Sequence, residues 1–84
     1  MISSTHTPKY KRFCHLIIEK RRQQGVTQSQ LAEKLGRPQS FVSKYENGER
    51  RIDLIEFMEI AAALGIDPGK FVRDFQETVA EDGV

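Results

Sequence analysis

The sequence predicts an all-α fold of five helices, and three observations predict it. Apolar residues recur at spacings of three and four along successive segments, as on one face of a helix. Glycines stand where those segments end, at Gly25, Gly36, Gly48 and Gly65, and prolines stand where three of them begin, at Pro8, Pro38 and Pro68. No alternating apolar run of useful length suggests a strand. The chain of 84 residues is enough for one small domain with a modest core.

Residues 1–7 are small and polar and read as a disordered tail. Pro8 opens the first helix, which is expected to reach Gln24 and stop at Gly25. Phe13, Leu16, Ile17 and Tyr10 form its inner face; Lys9, Lys11, Arg12, Lys20 and Arg22 make the outer face basic. Cys14 and His15 are adjacent, and adjacent helical residues do not converge on one point, so they suggest no metal or catalytic pair.

Thr27 is an N-cap, with Gln30 three residues later completing a capping-box pattern. Leu31, Ala32 and Leu35 give the second helix a buried face, and Ala32 is small enough for close packing. Gly36 ends it, and Pro38 suits the first turn of a third helix because its φ is preset and no N–H is needed there. Val42 and Tyr45 supply the inner face of that helix. Gln39, Ser40, Ser43 and Lys44 lie off that face, and Gly48 closes it. Two short helices joined by a tight glycine turn make a helix-turn-helix.

After the loop Glu49-Arg50-Arg51, Asp53 caps a fourth helix whose core face is expected to be Leu54, Phe57, Met58, Ala61 and Leu64. Gly65 stops it. Asp67 and Pro68 open a fifth as N-cap and first residue. Phe71 and Val72 pack back on the core, and Phe75 and Val79 continue the stripe. The domain is thus expected over residues 8–79, with residues 80–84 an acidic, frayed end.

From Ile17 to Phe71 the chain resembles the lambda-repressor-like (Cro/CI, Xre-type) helix-turn-helix proteins. Thr27, Gln28, Leu31, Ala32, Leu35, Gly36, Gln39, Ser40, Val42, Ser43, Glu46, Asn47 and Gly48 carry the likeness. It implies a five-helix lambda-repressor-like DNA-binding domain. It departs from the family at Arg37, where the turn is usually apolar, and at Pro38, where a Ser or Thr cap is common. The resemblance further implies that Arg21 pairs with Glu46, tying the first helix to the third. Arg50 and Arg51, in a loop that flanks the DNA backbone in the family, look like phosphate contacts, and Asn47 is given a backbone role. Arg37 adds a charge beside the groove.

The residues off the inner face of the third helix suit base reading. Gln39 can pair with adenine N6 and N7, and Lys44 can donate to guanine O6 and N7. Ser40 and Ser43 can meet a base or a phosphate. Gln28 opens the preceding helix, where its amide and the helix-end N–H groups can hold a phosphate. The net charge of +1 hides an asymmetry. Residues 1–51 hold eleven Lys/Arg against four Asp/Glu, whereas residues 52–84 hold two against eight. A basic front suits a polyanion and an acidic back suits something else.

Other classes are less well supported. One cysteine permits no internal disulfide or thiol metal cluster. There is no nucleophile–base pair, phosphate loop or carboxylate constellation, so no enzyme and no cofactor are expected. No apolar run approaches the ~20 residues of a membrane span, and the N-terminus lacks the apolar region of a signal peptide. A cytoplasmic protein is the expectation.

One helix reads few base pairs, so a pseudo-palindromic operator and a homodimer are expected. The unneeded apolar groups Ile55, Phe75 and Val79 mark the candidate dimer face, which the resemblance places in the same C-terminal region. Phe75 could instead fold onto the first helix and complete the monomer core. The function expected is a sequence-specific transcriptional regulator of double-stranded DNA, acting as repressor or autoregulator. The alternatives are an antitoxin or restriction-modification controller, with a protein partner on the acidic C-terminal third, and an interaction module that has lost DNA binding.

Overall fold

The computed structural model describes residues 7–82, arranged as five helices: α1 (Pro8–Gln23), α2 (Gln28–Leu35), α3 (Gln39–Glu46), α4 (Leu54–Leu64) and α5 (Pro68–Asp82). The helix ends are set locally. Thr7 is not part of a tail: its Oγ1 accepts from Tyr10 N at 3.1 Å and caps α1. Residues 1–6 of the expected tail lie outside the described residues. At Thr27 the reciprocal capping box forms, with Gln30 N donating to Thr27 Oγ1 at 3.1 Å and Thr27 N to Gln30 Oε1 at 2.9 Å. Gly36 then takes φ +67°, a left-handed conformation that a side chain would strain.

Pro38 sits one position earlier than expected. It is the N-cap of α3 rather than its first residue, with extended backbone and no side-chain cap. At the other end α3 finishes at Glu46 with Asn47 as C-cap, and Gly48 at φ +76° lies just beyond. The last helix continues to Asp82, past the expected limit at Val79. The side chain of Val79 and residues 83–84 lie outside the described residues.

All five helices contribute to one core. Ile17, Leu31, Ala32, Val42, Tyr45, Phe57, Ile60, Leu64 and Phe71 are buried in it, with Phe13, Leu16, Leu35 and Phe75 packed against its edge. Phe13 is the hub of an aromatic cluster. Its ring centroid lies 5.6 Å from Tyr10, 5.6 Å from Phe57, 5.8 Å from Phe71 and 5.9 Å from Phe75. The pairs with Phe57, Phe71 and Phe75 are edge-to-face, an arrangement that adds about 0.5–1.5 kcal/mol each beyond burial.

Two expectations about the core need correction. On α4 the buried set is Glu56, Phe57, Ile60, Ala61 and Leu64. Leu54 and Met58 are 68% and 48% exposed, beside Ile55 at 63%. The stripe at 57, 60, 61 and 64 is as helical as the expected one but turned toward Ile60, and the buried residue leading into the helix is Ile52. On α3, Phe41 is buried as well as Val42 and Tyr45. Cys14 is also buried, its Sγ donating to the Tyr45 carbonyl at 3.3 Å, and burial pushes the thiol pKa up. A thiol held neutral in this way is a packing group.

Phe75 was expected between subunits. Within one chain it is half-buried, with its ring edge-to-face on Phe13 of α1. That contact joins Phe75 to the aromatic cluster of its own chain and leaves part of the ring exposed. Among the described residues, the large apolar groups left outside are Leu54, Ile55 and Met58 on α4 and, contrary to the expected packing on the core, Val72 on α5.

Candidate nucleic-acid interface

The short turn at Gly36 and the small Ala32 let α3 pack across α2, so that α3 buries Phe41, Val42 and Tyr45 and turns its other side outward. Gln39, Ser40 and Lys44 are exposed on that outer side and Ser43 is half-buried. Ser43 Oγ donates back to the Ser40 carbonyl at 3.3 Å, which leaves its lone pairs outward. Lys44 has no ion-pair partner among the described residues.

Beneath this face lies a buried ion pair. Arg21 Nε donates to Glu46 Oε2 at 2.8 Å and Nη2 to Oε1 at 3.0 Å, while Nη1 donates to the Val26 carbonyl at 2.7 Å. The hydrogen bond to Glu46, opposed by burial, raises the Arg21 pKa further, so the guanidinium is charged throughout. The pair ties the end of α1 and the α1–α2 turn to the end of α3.

From Glu46 the network runs outward. Gln28 Nε2 donates to Glu46 Oε1 at 2.9 Å. Gln28 Oε1 in turn accepts from Gln39 Nε2 at 3.5 Å, and Gln39 Oε1 accepts from Ser29 Oγ at 2.8 Å. An amide has two N–H groups and two lone pairs. Gln39 is therefore braced on one edge and keeps one donor and one lone pair free, the set that adenine N7 and N6 require. Gln28 itself is half-buried at the start of α2, beside unpaired helix-end N–H groups.

The cations at the other end of α3 are arranged differently from what the sequence suggests. Arg50 is not a free loop charge: Nη1 donates to Glu56 Oε1 at 3.0 Å and Nη2 to Oε2 at 2.9 Å. Arg37 Nη1 reaches the same Oε2 at 3.5 Å, and its Nη2 lies 3.9 Å from Glu59 Oε1. Both guanidiniums stand over the Phe41 ring, at 4.4 Å for Arg37 and 4.8 Å for Arg50. Arg51 is exposed and lies 4.8 Å over the Tyr10 ring, with no carboxylate partner among the described residues. Asn47 is exposed at the C-terminal end of α3.

Glu56 is the residue that sequence reasoning passed over. It caps α4 with Asp53, Asp53 N donating to Oε1 at 3.0 Å and Glu56 N donating to Asp53 Oδ1 at 2.7 Å. The hydrogen bonds from Arg50, then that from Asp53 N, push its pKa down to about 2. The signal was present, since Asp53-Leu54-Ile55-Glu56 has the capping-box spacing that marked Thr27 and Gln30.

Comparison with known proteins identifies the family. The helix-turn-helix family model matches residues 17–71. An uncharacterized HTH-type transcriptional regulator, y4dJ of Sinorhizobium fredii, is 34% identical over 58 residues, 69% of this chain and 75% of the relative. The structure of an XRE-family like protein from Pseudomonas syringae pv. tomato superposes with a TM-score of 0.83 at 45% identity, covering 87% of this chain and 89% of that one. The restriction-modification controller protein C.AhdI from Aeromonas hydrophila does so with a TM-score of 0.71 at 29% identity, over 77% of this chain and 98% of that one. The chain therefore belongs to the Xre-type (Cro/CI-like) helix-turn-helix family.

Proposed function

We propose that this chain is a DNA-binding transcriptional regulator that reads duplex DNA with the outer face of α3 and acts as a homodimer on a pseudo-palindromic operator. The observation that carries the reading is Gln39: an exposed amide at the start of α3, braced through Gln28 to the buried Arg21–Glu46 pair. A preset amide at a helix N-terminus matches the way such helices enter the major groove. Gln39 and Lys44 read base edges, and Ser40 and Ser43 meet bases or phosphates. Gln28, Asn47 and Arg51 grip the backbone.

The likeness to the restriction-modification controller C.AhdI favours the controller among the alternatives. Repression or autoregulation from a cytoplasmic location belongs to the same proposal. A protein partner on the acidic C-terminal third remains compatible with it.

No helix among the described residues is long and apolar enough to cross a membrane. The dimer face consistent with the exposed apolar groups is Leu54, Ile55 and Met58 of α4 with Val72 of α5. A two-fold axis there would present two recognition helices to successive major-groove turns.

Selection of bound sequences from a random DNA pool tests this. A recovered inverted repeat with half-sites about one helical turn apart is expected. Gln39→Ala and Lys44→Ala should then each weaken operator binding by about 1–3 kcal/mol with little effect on random duplex. Equal losses on both kinds of DNA would reduce these residues to phosphate contacts.

A further inference from the structure

Arg37 and Arg50 flank the recognition helix, one before it and one after it, and both are already neutralised. One carboxylate touches both, and a second completes the charge balance. Glu56 Oε1 and Oε2 take the fork of Arg50 at 3.0 and 2.9 Å, and Oε2 also faces Arg37 at 3.5 Å. Glu59 approaches Arg37 from the next turn of α4 at 3.9 Å. The cluster therefore holds two positive and two negative side chains.

Glu56 is held in place. Its side chain is 10% exposed, and swinging outward would break both bonds to Arg50 and the bond that Asp53 N donates to it. It is charged at any pH near neutrality. The Phe41 ring, buried in the core, fixes the two guanidiniums from the other side. Lys44 and Arg51, in contrast, have no carboxylate partner among the described residues.

Sequence-independent affinity for DNA comes from cations that replace condensed counterions, at roughly one unit of salt slope per phosphate neutralised. An arginine whose charge is cancelled by a fixed neighbouring carboxylate attracts a phosphate much less. We infer that Glu56 is a specificity-determining residue: it withdraws Arg37 and Arg50 from non-specific phosphate attraction while holding them together beside α3, over the Phe41 ring. Random DNA is then held mainly by unpaired cations outside the base-reading set, such as Arg51, and the operator gains its advantage through the base contacts of α3. This rests on the DNA-binding reading and deepens it.

The test is a salt titration of binding to a random-sequence duplex, using the full chain. Glu56→Gln keeps an acceptor for Asp53 N and removes the charge. It should bind random duplex more tightly than wild type, with a salt slope steeper by about one to two units. Its ratio of operator to random affinity should fall. In an Arg37→Gln/Arg50→Gln background, Glu56→Gln should leave the slope unchanged.

Arg51→Gln in the otherwise wild-type chain should lower the slope by about one unit, and Arg50→Gln by clearly less. This comparison carries the test even if Glu56→Gln is poorly folded. Equal slopes for wild type and Glu56→Gln would overturn the inference, as would an Arg50→Gln effect as large as that of Arg51→Gln. Failure of the wild type to bind any duplex would instead overturn the DNA-binding reading, and the inference with it.

Discussion

Removing Arg21 should expose how much of the recognition face depends on one buried charge. The guanidinium satisfies both oxygens of Glu46 and the Val26 carbonyl, and the paired side chains are 9% and 4% exposed. Arg21→Met keeps an aliphatic chain of similar reach and removes all three bonds. Glu46 is left with the Gln28 amide as its side-chain partner. Stranding one member of a buried pair costs about 3–5 kcal/mol. A domain of this size has about 4–13 kcal/mol of stability in total, so the loss is a large share of it.

The melting temperature should fall by at least about 12 °C, taking about 4 °C per kcal/mol for a small domain. Glu46→Met should cost a similar amount, because it strands Arg21. The double mutant Arg21→Met/Glu46→Met removes both charges and fills the site with apolar atoms. Such replacements are often about neutral, so the double mutant should be more stable than either single mutant. Thermal and urea unfolding of the four proteins, followed by circular dichroism, measures the cycle. If the two losses add to within about 0.5 kcal/mol, the pair is not coupled and the argument for a buried tie between α1 and α3 fails. The double mutant should also bind its operator poorly while folded, since Gln28 loses the carboxylate that orients it.

Three further outcomes are expected. Ile55→Glu places a charge on an exposed position of α4 and should give a folded monomer by sedimentation, whereas Phe75→Glu should destabilise the chain itself by opening the contact with Phe13; a dimeric Ile55→Glu would move the interface elsewhere. Tyr45 Oη is buried with no hydrogen-bond partner among the described residues, and burial, with Glu46 adding to it, raises its pKa. Tyr45→Phe removes an unsatisfied group that costs about 1–3 kcal/mol and keeps the ring on Phe41, so the midpoint of urea unfolding should rise; a clear fall would reveal a partner for the hydroxyl. Glu56 has a folded-state pKa near 2, below the usual carboxylate value, so the unfolded chain binds more protons in acid. Its contribution should be intact above about pH 4.5 and disappear as the pH falls toward 2, and Glu56→Gln should flatten that part of the stability profile.

Much of this molecule follows from short-range rules. Thr27 with Gln30, Gly36, Gly65, and Asp67 with Pro68 mark helix ends by local hydrogen bonding and backbone freedom, which act over a few residues and are legible in any sequence. The outward set Gln39, Ser40 and Lys44 follows from helical periodicity once the inner face is known. The inner faces were harder. Helical spacing allowed either Leu54 and Met58 or Ile60 to face inward on α4, and the packing of α4 against its neighbours selected Ile60. Phe75 likewise fitted two partners by spacing, and only the position of α1 brought Phe13 beneath it. Charge was the least legible property. Arg37, Arg50 and Arg51 look alike in the chain, yet Arg37 and Arg50 converge on Glu56 across α3 while Arg51 lies exposed over Tyr10. Whether a cation is free depends on which carboxylate the fold brings within about 4 Å, and that is decided by tertiary structure.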